Sequence, residues 1–251
     1  MSLLRVENLN KAFGRLRVLN GVSLTVQRGQ RHVLIGPNGA GKTTAFQCIA
    51  GLMRPDGGTI LLEDKDVSTL PVHARVSLGM ACTFQKTSLL DGLTVAENVQ
   101  LAVTALKPYR FRVWKPLSRH GDLRQDTREI LQACGLWDRR DQRVNRLSYG
   151  EQRTLEIALA LASKPKVLLL DEPTSGMSPA ETAQTTALLR RLPRSMALLV
   201  IEHDMDVVFS IADYITVLHH GEVLVSGPPD QIRANERVKE IYLSGGAGPR
   251  A

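Results

Sequence analysis

The chain has 251 residues, 43% hydrophobic and 23% charged, with a formal net charge of +7. These are ordinary proportions for a globular protein of one or two domains with a sizeable core. Three well-separated cysteines, Cys48, Cys82 and Cys134, suggest neither a disulfide framework nor a metal knuckle. A reducing, intracellular compartment is expected, with each thiol buried as a small apolar group. No apolar run approaches 18 residues, and Met1–Glu7 is charged too soon for a signal peptide, so neither a membrane span nor a secretory leader is expected.

Leu4 to Leu9 reads as a first strand and the alternating Val22–Val26 as a second, with a turn at Phe13-Gly14 between them. A short apolar run, His32-Val33-Leu34-Ile35, then enters Gly36-Pro37-Asn38-Gly39-Ala40-Gly41-Lys42-Thr43-Thr44. A helical pattern follows to Ala50, where Gly51 can stop it. Strand, glycine-rich loop and helix in this order have the G-x-x-x-x-G-K-[ST] spacing of a phosphate-binding loop. Glycines let the backbone curl its N–H groups inward, and the helix N-terminus adds positive potential at the same point. Lys42 can reach the outer phosphates and the Thr43 hydroxyl can hold Mg²⁺. The expected ligand is a nucleoside triphosphate.

Arg54–Gly58 predicts a loop, Ile60–Leu62 a strand, Pro71–Leu78 a short helix stopped by Gly79, and Met80–Phe84 a strand with Gln85 just beyond it. Helical periodicity then runs from Thr94 to about Leu106, from Leu123 to Cys134 and from about Ser148 to Ser163. Residues 87–163 thus read as a helical block inserted into an α/β core. Within it, Lys107–Gly121 has two prolines, three aromatics and several basic residues, the composition of a loop or irregular insert. Residues 107–153 hold twelve Lys and Arg against six acids, nearly all of the net charge. Such a segment, with Tyr109, Phe111 and Trp114 interleaved, suits nucleic acid, anionic lipid headgroups, an acidic partner or plain solvent, and composition does not choose among them.

The core resumes at Lys166–Asp171, an unbroken apolar run expected to be a buried strand, with Asp171-Glu172 at its end. Ligands of open α/β sheets collect at the carboxyl ends of strands. One carboxylate there can hold the water shell of Mg²⁺, and a second can orient or deprotonate an attacking water. Ser178-Pro179-Ala180-Glu181 starts a helix that ends before Pro193. Ala197–Ile201 is another buried strand, carrying Glu202-His203-Asp204. A hairpin around His220-Gly221, two short helices reaching Leu243 and a glycine-rich tail complete the chain.

Leu147-Ser148-Tyr149-Gly150-Glu151-Gln152 lies between the phosphate loop and Asp171-Glu172. A phosphate loop, L-S-x-G-[QE] and an apolar strand ending Asp-Glu, in that order, resemble the ATP-binding cassette (ABC) ATPases over residues 3 to about 244. The resemblance implies an α/β P-loop NTPase (RecA-like) core with an N-terminal antiparallel β subdomain and an inserted α-helical subdomain. The expected limits are 1–86 and 164–227 for the core with the β subdomain, 87–163 for the helical part and 228–251 for the C-terminal helices and tail.

In roles, the resemblance assigns adenine stacking to Phe13 and the phosphate grip to Asn38, Gly39, Ala40, Gly41, Lys42, Thr43 and Thr44. It gives the Mg²⁺ site to Thr43, Gln85 and Asp171, water activation to Glu172 and the γ-phosphate switch to His203. Ser148, Gly150 and Glu151 would contact the ATP of a partner subunit, and Ser175–Ser178 would be the dimer-contact loop. Tyr149 and Glu151 stand where relatives commonly have glycine and glutamine, and Asp64 stands near a common turn glycine.

The Leu-Ser-Tyr-Gly signature, Leu155-Glu156-Ile157, Ser175–Pro179, Glu202–Met205, the ending Val238–Leu243 and the Lys107–Gly121 insert are similar to the larger ATPase subunit of branched-chain amino acid importers. Urea, short-amide and aromatic-acid importers share the pattern, and lipopolysaccharide-export ATPases have a related ending. The resemblance implies ATP and Mg²⁺ as cofactors and a second ATPase subunit and transmembrane permease subunits as partners. It also implies an indirect link to a substrate-binding protein and a peripheral position on the cytoplasmic face of the membrane, with the basic insert turned toward permease and lipid. ABC ATPases of DNA repair or translation are the alternative class. The long coiled-coil inserts or paired cassettes of those proteins are missing here, so no nucleic acid partner is expected.

Overall fold

The computed structural model describes residues 2–83, 89–105 and 121–244. Strands β1 (Ser2–Phe13), β2 (Leu16–Gln27), β4 (Gly57–Leu62) and β5 (Lys65–Asp66) form an antiparallel sheet in the order β2-β1-β4-β5. The second sheet has six strands in the order β10-β9-β3-β8-β7-β6. These are β3 (Arg31–Ile35), β6 (Met80–Cys82), β7 (Val167–Asp171), β8 (Ala197–Ile201), β9 (Tyr214–His219) and β10 (Glu222–Gly227). All pairings in it are parallel except the β9–β10 hairpin.

Every residue of β3, β7 and β8 is buried, which explains their unbroken apolar runs: central parallel strands are covered on both faces. Alternation splits their side chains between two cores. Leu34, Val167, Leu169, Ala197, Leu199 and Ile201 face the cluster built on the antiparallel sheet and on α1 (Lys42–Ala50). Val33, Ile35, Leu168, Leu170, Leu198 and Val200 face the other cluster. That second core collects side chains from α3 (Val95–Ala105), α4 (Gly121–Ala133), α5 (Tyr149–Leu161) and α6 (Pro179–Arg191). One leucine buried this way stabilises the fold by about 2 kcal/mol.

Helix α2 (Val72–Ser77) supplies a fixed point for α1. The Arg75 side chain, 1% exposed, donates to Cys48 O (2.8 Å), Ile49 O (2.5 Å), Leu70 O (2.9 Å) and Ser68 O (3.0 Å). A guanidinium there serves the carbonyls at the C-terminus of α1, Cys48 O beside the Gly51 N–H and Ile49 O, and complements the helix dipole. Burial lowers its pKa, and its cationic form is held by those acceptors.

The expected elements are present, with adjusted ends. Helix α7 (Met205–Ile211) stands where no element was expected; Asp204 caps it by accepting from Asp206 N (2.9 Å) and Val207 N (3.2 Å). The two C-terminal helices are α8 (Pro229–Ala234) and α9 (Glu236–Ser244). Cys48 and Cys134 are buried as expected, but Cys82, near the edge of the sheet, is only half-buried. Glu63 and Asp64 both take positive φ, 48° and 61°, in the β4–β5 turn, a conformation that an Asp side chain tolerates. The basic aromatic insert with Tyr109, Phe111 and Trp114 lies outside the described residues, as do Phe84, Gln85 and the glycine-rich tail. No described helix is long and apolar enough to cross a membrane.

Candidate active site

Parallel pairing brings the motifs together. Leu34 of β3 and Asp171 of β7 both pair with Ile201 of β8, so the residues that follow these strands emerge on one edge. Gly36, Glu172 and Glu202-His203 are those residues.

The loop after β3 is held from three sides. Gly36, at φ 155°, lies so close to β9 that a Cβ there would sit 2.3 Å from Leu218 O. Within the loop Ala40 N donates to Pro37 O (3.2 Å), and the α1 ladder opens with Ala45 N to Gly41 O (2.9 Å). Gly221, in the turn between β9 and β10, donates its N–H to Ala40 O (3.1 Å) and accepts from Asn20 N (2.8 Å) on β2. The hairpin turn therefore ties the loop to the antiparallel sheet. Asn38 and Gly39 are exposed, Thr43 and Thr44 half-buried, and Gly39 has open space where a side chain would be.

Lys42, 8% exposed, donates from Nζ to Gly36 O (2.7 Å) and Pro37 O (3.0 Å). Burial lowers its pKa while the carboxylates of Glu172 and Asp171 push it back up, so those acids share its electrostatic environment. A lysine bridging its own loop keeps the N–H groups curled toward one point.

Asp171 closes β7 at 8% exposure. Glu172 follows at φ 47°, left-handed space that a non-glycine residue enters at a cost of about 1–2 kcal/mol. Its N–H takes Ile201 O (3.0 Å), extending the sheet ladder by one residue, while its side chain is 41% exposed. Backbone held in such a conformation by its neighbours is frequent at reacting groups. His203 Nδ1 lies 3.9 Å from Glu172 Oε1 and 4.0 Å from Glu202 Oε2, beyond hydrogen-bond reach. Catalytic contacts of this length commonly tighten when substrate enters.

Glu202, to which the sequence assigns no role, is fully buried. Its carboxylate accepts from Thr174 Oγ1 (2.5 Å), Thr174 N (3.2 Å) and His203 N (3.0 Å). It anchors the segment after Glu172 to the backbone of the histidine, which orients both. The signal available for it was an acid directly after an apolar strand, a place where burial requires donors nearby.

Phe13, at the end of β1, is 49% exposed, with Lys11 Nζ 5.7 Å from its ring centre. Half of the side chain is thus exposed at the surface. Gln85 is outside the described residues, so the structure places nothing there.

Ser148, Gly150 and Glu151 form a second group at the start of α5. Ser148 caps the helix, accepting from Glu151 N (3.2 Å), while the Glu151 carboxylate accepts from Ser148 N (2.9 Å). Glu151 also pairs with Arg139 at 2.9 Å. Both oxygens of its carboxylate are thus engaged within its own chain. Ser148 Oγ donates to Glu181 Oε1 at 2.8 Å. Among the described residues no hydrogen bond joins this group to the phosphate loop.

Residues 19–175 match the ABC transporter family model, and residues 222–243 match the branched-chain amino acid ATP-binding cassette transporter model. The high-affinity branched-chain amino acid transport ATP-binding protein BraF of Pseudomonas aeruginosa is 37% identical over 96% of this chain and 97% of its own length. The lipopolysaccharide export system ATP-binding protein LptB of Haemophilus influenzae is 34% identical over 97% of this chain and 98% of its own. An ABC transporter cassette solved in its ADP conformation superposes with a TM-score of 0.86 at 29% identity, covering 97% of this chain and 99% of that one. A second cassette, solved as a dimer in a post-hydrolysis state with ADP and phosphate, gives 0.73 at 26% identity over 90% and 98%. With a nucleotide-binding loop, an acidic strand end and relatives that match it from end to end, this chain belongs to the ABC transporter family and is an ATPase.

Proposed function

We propose that the chain is one of two ATPase subunits that close head to tail on a membrane permease and power import of branched-chain amino acids or related amino acids and amides. The match of residues 222–243 to the branched-chain cassette model carries this reading, because that segment lies outside the general ATPase motifs. The end-to-end similarity to BraF supports it. Lipopolysaccharide export is the second reading, favoured by the similarity to LptB.

In the proposed cycle the adenine stacks on Phe13. The loop N–H groups from Asn38 to Thr44 and the Lys42 ammonium hold the phosphates. The oxygen donors at hand, the Thr43 hydroxyl and the Asp171 carboxylate, fit Mg²⁺, which keeps water and phosphate oxygens in most of its coordination positions. Bound there, the cation would neutralise developing phosphate charge. Gln85 completes this assignment. Glu172 orients and deprotonates the attacking water, and His203 stabilises the γ-phosphate. Ser148 Oγ–H and Gly150 N–H of a second subunit close the site over that phosphate, with Glu151 holding the cap that aims them. Permease subunits take up the closing motion on the cytoplasmic face of the membrane, and a substrate-binding protein acts through them.

Replacing Glu172 with Gln removes the base and leaves the phosphate grip intact. Turnover should fall by about a hundredfold or more while ATP still binds, and a dimer should become visible by size-exclusion chromatography. Normal turnover in that variant contradicts the assignment.

A further inference from the structure

Glu181 lies in the first turn of α6, where the sequence gives it only a capping role, yet it joins two segments. Its Oε1 accepts from Ser148 Oγ (2.8 Å) and Gly150 N (3.1 Å). Its Oε2 accepts from Ser178 N (3.0 Å) and Ser178 Oγ (2.8 Å). One carboxylate therefore receives four donors, two from the start of α5 and two from the end of the loop Ser175–Ser178. The approach is close: a Cβ on Gly150 would sit 2.6 Å from Glu181 Oε1. Tyr149 closes the same seam, its ring edge 3.4 Å from where a Cβ on Gly176 would lie.

Under the reading given in Proposed function, Ser148 Oγ–H and Gly150 N–H are the donors meant for the partner's γ-phosphate. Each has one hydrogen, and both hydrogens point at Glu181. Ser148 Oγ also accepts from Glu151 N, which fixes its hydroxyl at the cap. We propose that Glu181 is an internal anion that occupies the γ-phosphate donors of its own subunit until the triphosphate of the closing partner displaces it.

The chemistry gives this contact a use. The carboxylate keeps both donors formed and aimed before ATP arrives, which reduces the ordering needed at closure. It also sets a threshold. A γ-phosphate brings more charge and more acceptor oxygens than one carboxylate and can take the donors over. A diphosphate does not reach them, so after hydrolysis the carboxylate recovers its partners and favours reopening. Glu181 is a positioning residue in this scheme and also sharpens the distinction between ATP and ADP. Its four donors hold its pKa down at about 2, so it is a competing anion throughout the neutral range.

The test uses the Glu172→Gln chain, in which ATP closes the dimer without hydrolysis. Sedimentation velocity across an ATP titration gives the midpoint of dimer formation. Adding Glu181→Gln keeps a capping-box side chain but removes the charge. The midpoint should fall by about two- to fivefold, as expected for losing one exposed like-charge contact, with little change in melting temperature. Glu181→Ala, which loses cap and charge together, should also close at lower ATP despite a lower melting temperature. An unchanged or raised midpoint in the Gln variant overturns the proposal and leaves Glu181 as a helix cap alone. If the Glu172→Gln chain does not dimerise with ATP, the reading in Proposed function fails first and takes this one with it.

Discussion

Gly221 lies far from the phosphate loop in sequence but bonds to it directly, so Gly221→Ala tests whether the hairpin holds the nucleotide site. At φ 78° an alanine pays about 1–2 kcal/mol for left-handed backbone. Its Cβ would also lie 2.4 Å from Val18 O and 3.0 Å from Val18 C, backbone atoms that cannot rotate away. Relieving that overlap costs a further ~1–3 kcal/mol. The total, about 2–5 kcal/mol, corresponds to a melting point lowered by roughly 4–20 °C in a chain of this size. Because the displaced turn carries the Gly221 N–H to Ala40 O bond, the concentration of ATP needed for half-saturation should rise as well. Gly14→Ala is the control: its φ is also positive, 59°, but nothing lies within 4 Å of the added carbon. It should show the backbone cost alone and unchanged ATP affinity. If Gly221→Ala melts and binds ATP like Gly14→Ala, the turn does not brace the loop.

Arg75→Met should destabilise the fold by about 3–5 kcal/mol, because it strips the donor from carbonyls at the end of α1 and in the segment before α2. Urea denaturation measures this; a loss below about 1 kcal/mol would show that water replaces the guanidinium freely. His32 provides a pH test. It is 1% exposed, its Nε2 lies 2.8 Å from Thr216 Oγ1, and burial lowers its pKa from 6.5 to about 4. Between those values the unfolded chain takes up a proton that the folded chain refuses. Its contribution is therefore complete above pH 6.5 and is lost as pH falls toward 4. His32→Gln should flatten the stability slope in that window, and an unaltered slope would mean that the ring titrates normally in the fold.

The buried parallel strands were legible because β3, β7 and β8 are covered on both faces and must be apolar at every position. The phosphate loop was legible because its glycine positions follow from backbone geometry. Helix α7 was not: at seven residues it offers less than two turns of periodicity, and its visible sign was the cap Asp204. Glu202 and Glu181 could be read only as an acid at a strand end and an acid in a capping box. Their partners, Thr174 and Ser148, are 28 and 33 residues away, and tertiary packing alone sets those distances. The Ser148 group was recognisable by its order in the chain, but its contacts with Glu181 needed the fold.

The proposed cycle stands on one claim, that Lys42 of one subunit and Ser148 of another make one site. Complementation measures it directly. Lys42→Ala and Ser148→Arg chains should each be inactive alone, since every site in either dimer is broken. Mixed, they should regain ATPase activity, because one of the two sites in a mixed dimer combines an intact Lys42 with an intact Ser148. Activity in the Ser148→Arg chain alone, or none in a mixture shown to contain mixed dimers, would contradict a shared site.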